Sequence, residues 1–181
     1  MKRIMMIMLA ALLCFLGAGN YAEGNNKGNG DMKKILFING SPNRDGNTAA
    51  LAKILLEGQE YETLALCDYQ INFYGQNRSG DQLNEIIAKM KDADVVVIGS
   101  PVYWHNICAS VRTVMERFYG YLEDGAFCGK RLFFIYQGAA PTKKMLEDGE
   151  YSMSRFAGMY GFSYEGMATD RDEAKQLRAK L

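Results

Sequence analysis

The chain carries no surplus of charge: 21 lysines and arginines stand against 21 aspartates and glutamates, and the basic residues fall singly, without a stripe. That excludes the electrostatic footprint of a nucleic-acid binder. The longest apolar run, Ile4 to Leu16, is too short for a membrane span, so no stable membrane insertion of the mature chain is expected. There is no CxxC, and the one histidine, His105, leaves no His/Cys spacing suited to zinc; no metal site is expected. From Met32 onward the cysteines are Cys67, Cys108 and Cys128, an odd set that supports no disulfide framework and points to structural burial. No internal repeat is present.

Residues 1–31 differ in kind from the rest. Lys2 and Arg3 precede the apolar run, small residues Gly17-Ala18-Gly19 follow, and a Gly/Asn-rich tract runs from Gly24 to Asp31. This order of basic, apolar and small-residue regions is that of a secretory signal over 1–22 and a flexible spacer over 23–32, ahead of one domain over 33–181. Cleavage would fall after Gly19 or Ala22, and the mature protein would be exported. A cytoplasmic product starting at Met32-Lys33-Lys34 is the competing expectation. From Met32 there are 18 basic and 19 acidic residues, a nearly neutral surface.

The most informative stretch is Ile35 to Thr48. Ile35-Leu36-Phe37-Ile38 is a continuous apolar run of the kind buried on both faces of a sheet, and the small polar residues after it form a turn into a helix beginning near Ala49. Ser41, Asn43, Asn47 and Thr48 offer side-chain donors, Gly40 and Gly46 allow close backbone approach, and the first amides of the helix have no internal partner. A nucleotide P-loop needs four residues between its glycines and then Lys-Ser/Thr. Here five separate Gly40 from Gly46, and Asn47 stands in the lysine's place. Triphosphate chemistry is therefore disfavoured, and a single phosphate monoester, as in a mononucleotide, suits these neutral donors. A plain βα loop that only caps its helix is the alternative. A phosphoacceptor domain is not supported, because Asn39-Gly40-Ser41 brings no carboxylate.

Helical spacing of Leu51, Ile54 and Leu55 predicts a helix over 49–56, and 60–66 reads as a mixed strand. A loop from Cys67 to Arg78 leads to Ser79-Gly80-Asp81-Gln82, which reads as a capping box with Ser79 at N-cap, before the stripe Leu83, Ile86, Ile87 and Met90. Asp94 to Gly99 is the strongest strand and opens into a loop over Ser100 to Asn106. A helix over 107–118, a buried strand Arg131 to Gln137, a loop at Gly138-Ala139-Ala140-Pro141, a helix ending at Gly161, a mixed strand 162–169 and a short charged helix 170–180 complete the pattern. Strands alternating with helices give an α/β domain with a five-stranded doubly wound parallel sheet. The mixed second and fifth strands belong at the edges, which selects the order 2-1-3-4-5 and puts the switch point between strands one and three.

Beyond those two strands lie Gly40 to Thr48 and Ser100-Pro101-Val102-Tyr103-Trp104. In that order, on those strands, they resemble the flavodoxin-like NAD(P)H-dependent FMN reductase and quinone reductase family over Lys33 to Thr169. The resemblance implies a flavodoxin-like fold and an oxidoreductase that passes hydride from NAD(P)H through bound FMN to a quinone, flavin or similar small acceptor. It implies that Ser41, Asn43, Asn47 and Thr48, with Arg44, bind the FMN phosphate. It sets Pro101, Val102, Tyr103 and Trp104 along the isoalloxazine and Gln137, Gly138 and Ala139 near its other edge. No protein residue is then required as the catalyst, although His105 is a weak candidate for a donor to flavin or substrate. The resemblance also implies a homodimer, with contacts at Tyr69 to Gln76 and Tyr119 to Tyr121. Without a cysteine cluster in 67–78, no iron–sulfur centre is expected. The alternative function is a flavodoxin-type electron carrier or an exported flavin-binding protein that does not oxidise NAD(P)H. A carrier would present a strongly acidic face, which the neutral balance disfavours.

Overall fold

The computed structural model describes residues 33–181. The expected signal over 1–22 and spacer over 23–32 lie outside the described residues. Strands β1 (Ile35–Asn39), β2 (Glu62–Ala65), β3 (Val95–Tyr103), β4 (Asn106–Ile107), β5 (Arg131–Gln137) and β6 (Ser163–Ala168) alternate with helices α1 (Asn47–Leu55), α2 (Leu83–Asp92), α3 (Ala109–Arg117), α4 (Lys143–Tyr160) and α5 (Arg171–Arg178). The main sheet runs β2-β1-β3-β5-β6, all neighbours parallel. This is the doubly wound, flavodoxin-like order expected from the apolar runs, with β5 and β6 as the fourth and fifth parallel strands.

Alternation along the central strands divides the core in two. Leu36 and Ile38, Val96 and Ile98, Leu132 and Phe134 face α2, α3 and α4. Ile35 and Phe37, Val95 and Val97, Phe133 and Ile135 face α1 and α5. Each such side chain, essentially excluded from water, contributes about 1.5–3 kcal/mol. Because both faces are covered, these three strands need apolar residues at every position, and so they read as unbroken runs. The edge strand β6 carries a bulge beside Leu132/Phe133, where Gly166 takes φ 125°, a conformation that suits glycine.

Three local expectations are corrected. Strand β3 does not stop at Gly99: Ser100 and Pro101 stay in register with Tyr136 and Gln137 of β5, and Val102 and Tyr103 pair antiparallel with Ile107 and Asn106. The expected loop is a hairpin, and the following helix begins at Ala109. Ser79 does not cap α2, whose N-cap is Gln82 with no side-chain cap. Its side chain reaches across the loop, Gln82 Oε1 accepting from the Gln70 backbone amide at 2.9 Å. Burial holds for Cys108 alone, since Cys67 and Cys128 lie at the surface.

Candidate functional site

The carboxyl ends of β1, β3 and β5 bring three loops together. In the first, the Ser41 amide donates to Asn39 Oδ1 (3.0 Å), the Asn43 amide to Ser41 Oγ (3.2 Å) and the Asp45 amide to Asn43 Oδ1 (3.2 Å). These short-range bonds fold the chain back so that Gly46 enters α1 in extended conformation, with no side chain capping the helix. The Ala50 amide is the first to close on the helix, donating to the Gly46 carbonyl at 2.9 Å. The amides of Asn47, Thr48 and Ala49 are thus the positive, uncommitted end of the helix, framed by the exposed side chains of Asn43 and Asn47.

Glycine is required where this loop meets its neighbours. A Cβ on Gly40 would lie 2.5 Å from Val111 Cγ2, 2.8 Å from Cys108 Sγ and 2.9 Å from the Gly99 carbonyl oxygen. The Gly40 amide donates to that carbonyl at 2.8 Å. Its own carbonyl accepts from the Ser110 hydroxyl (2.9 Å) and the Cys108 thiol (3.4 Å), so the start of α3 is laced to the first loop. The sequence gives no sign that Ser110 and Cys108 reach the first loop. Their bonds span 70 and 68 residues, and no local pattern announces them.

The second loop is the hairpin β3–β4. Trp104 and His105 occupy its two central positions at φ 48° and 66°, the geometry of a two-residue primed turn. Such backbone costs roughly 1–3 kcal/mol for a residue other than glycine. It lifts the indole of Trp104 off the fold, 96% exposed, while Tyr103 is 49% exposed and Pro101 is buried. The base is held by the Ser100 hydroxyl, which accepts from the Cys108 amide at 2.9 Å and donates to the Pro101 carbonyl at 2.9 Å. In the third loop, a Cβ on Gly138 would come 3.0 Å from Val102 Cβ, so the two loops touch. Gln137 turns the other way, its Nε2 donating to Thr48 Oγ1 at 3.0 Å.

All the expected site residues therefore gather at one end of the sheet. Ser41 and Thr48 are buried, at 5% and 1% exposure, and their hydroxyl oxygens accept from within the protein. Arg44 points to the loop after β2 and pairs with Asp68, whose hydrogen bond and then charge raise the Arg44 pKa. Beneath the hairpin, Tyr136 is fully buried with its hydroxyl unbonded; desolvation, then the proximity of Cys108 and Asp148, pushes its phenol up to about 12. Among the described residues no three His, Cys, Asp or Glu side chains are grouped to hold a metal ion. A groove of about 690 Å³ opens at the opposite end of the sheet beside Lys33, Glu60, Tyr61 and Lys89. It contains no helix N-terminus and none of the expected residues.

Several known proteins are similar to this chain. An iron–sulfur flavoprotein of Methanocaldococcus jannaschii is 36% identical over 98 residues, covering 46% of this chain and 51% of its own. An iron–sulfur flavoprotein of Archaeoglobus fulgidus is 34% identical over 97 residues, covering 46% and 48%. The chain spans about half the length of these relatives. Among solved structures, the Trp repressor binding protein from Bacillus subtilis superposes with a TM-score of 0.65 at 19% identity, over 79% of this chain and 99% of that one. The flavodoxin, WrbA-like protein from Agrobacterium tumefaciens gives 0.59 at 14% identity, over 82% and 92%. At such identities these two structures establish the fold. Residues 33–160, with the whole of the first two loops, match the family described as NADPH-dependent FMN reductase, and the chain is a member of that oxidoreductase family.

Proposed function

We propose that the chain holds FMN across the carboxyl ends of β1, β3 and β5, phosphate on the first loop and ring over the second, and uses it to carry hydride from NAD(P)H to a small flat acceptor. The observation that carries this reading is the uncapped start of α1 behind Gly46, flanked by neutral donors and seated against Gly99, where a Cβ would come within 2.6 Å of the Thr48 methyl. A phosphate monoester satisfies the Asn47, Thr48 and Ala49 amides together with the side chains of Asn43 and Asn47. Ser41 and Thr48 brace the loop from below. Arg44 stands exposed at the rim, paired with Asp68.

FMN supplies the redox chemistry, taking hydride from the nicotinamide and giving it to the acceptor. The protein's part is to orient. Pro101, Val102 and Tyr103 form the wall under the ring, and the backbone at Gly138 and Ala139 meets its polar edge. The exposed aromatics Phe73, Tyr74, Tyr119 and Tyr121 belong to a contact between two copies. Export through residues 1–22 is part of the same proposal, and mass spectrometry of the native amino terminus tests it, a start at Met32 contradicting it.

The reaction is tested by mixing FMN-loaded protein with NADH and with NADPH without oxygen. Absorbance near about 450 nm should bleach with at least one of them and return on adding a quinone. A loaded protein that bleaches with neither nucleotide would leave the electron-carrier reading standing.

A further inference from the structure

We propose that Gln137 is a positioning residue for the phosphate end of the cofactor, acting through Thr48, and not a contact to the ring edge. The inference rests on the FMN reading above and goes beyond it. Gln137 is the last residue of β5, opposite Pro101 of β3. Residues 133 and 135 of the same strand face the α1 side of the sheet, and Gln137 continues that face, reaching Thr48 Oγ1 across 89 residues of sequence.

Thr48 is gripped on both branches. Its hydroxyl oxygen takes the Gln137 amide, and its methyl lies where a Cβ on Gly99 would come within 2.6 Å. A β-branched side chain has little freedom about χ1, so fixing both branches fixes the backbone that bears them. That backbone is the second residue of α1, in the turn whose amides are uncapped. Strands β3 and β5 thereby set the direction in which the helix presents its N–H groups, and a fixed aim is what a tetrahedral anion requires of them. Gly99 must lack a side chain for the same reason.

Riboflavin has the ring of FMN without its phosphate, so the two ligands separate the two roles. Gln137→Leu, close in size but unable to donate, should raise the FMN dissociation constant about tenfold and leave that for riboflavin within about twofold. Thr48→Val, which keeps the shape and removes the acceptor, should do the same. The double variant should be no more than about twofold worse than either single one, because the pair acts as a unit. Thr48→Val also decides the matter if Gln137→Leu fails to fold. Equal losses for FMN and riboflavin would return Gln137 to the ring edge, and no loss for either would reduce it to packing; both outcomes overturn the proposal. Wild-type protein that takes up no FMN overturns the cofactor reading and this inference together, whereas wild-type binding with unchanged variants overturns this inference alone.

Discussion

In the loop after β1, Ser41 and Thr48 are almost fully buried, while in the hairpin after β3 Trp104 is 96% exposed and both central residues take positive φ. The two loops sit on neighbouring strands at the same end of one sheet. The first is locked from all sides: by Gly99 through its backbone, by Ser110 and Cys108 through the Gly40 carbonyl, and by Gln137 through Thr48. The second is held toward its base, where Ser100 accepts from the Cys108 amide and Val102 meets Gly138, and Trp104 at its tip is exposed. A ligand end that never changes, such as a phosphate, needs the first kind of loop. Flat reactants that come and go need the second, an aromatic surface offered to solvent.

The contrast breaks first at Gly40. Gly40→Ala forces a methyl into Val111, Cys108 and the Gly99 carbonyl, and overpacking of that kind should cost about 3 kcal/mol in chemical denaturation and weaken FMN binding by at least about a hundredfold. Wild-type stability in that variant would mean the loop is not locked. Next in size is the hairpin. Replacing Trp104-His105 by Asn-Gly supplies residues that accept positive φ, so the protein should gain about 1–2 kcal/mol. No gain would show the turn to be unstrained.

The buried floor beneath the hairpin gives a smaller effect. Burial raises the Tyr136 phenol to about 12 in the folded protein, above the ordinary value near 10 of the unfolded chain. The folded state therefore holds this proton longer: the contribution is complete below about pH 10 and lost as pH rises through about 12. Tyr136→Phe removes a buried hydroxyl that has no partner, so it should change stability at pH 7 by less than about 1 kcal/mol and move the alkaline unfolding midpoint upward. An unshifted midpoint would place the alkaline transition elsewhere. Smallest of all is Trp104→Ala, which should alter stability by less than about 0.5 kcal/mol and FMN affinity by less than about twofold. A cost matching that of Gly40→Ala would erase the distinction between the two loops.

The same contrast explains what could be read from the sequence. The unbroken runs at 35–38, 95–98 and 132–136 identified the central strands because both faces of each are covered, and mixed strands at 62–65 and 163–168 fell to the edges for the converse reason. The turn of the first loop was legible from residue types alone, since glycines and small polar residues mark a tight bend into a helix. The hairpin was not, because Trp-His carries none of the Asn/Gly chemistry that marks a tight primed turn. The roles of Ser110, Gln137 and Arg44 were equally hidden. Each is set by a partner far away in the chain, and Gln82 was misread because its side-chain oxygen accepts from the Gln70 amide across the loop and not from an amide at the start of its own helix.

On the proposed function, α1 and its loop bind a phosphate monoester carried by a flavin. Fluorescence titration of flavin-free protein with FMN and, separately, with riboflavin tests it directly. FMN should quench saturably at one equivalent and riboflavin should bind at least about a hundredfold more weakly, the difference being the charge-assisted bonds to the phosphate. Equal affinity for the two flavins, or no quenching by FMN, would contradict it.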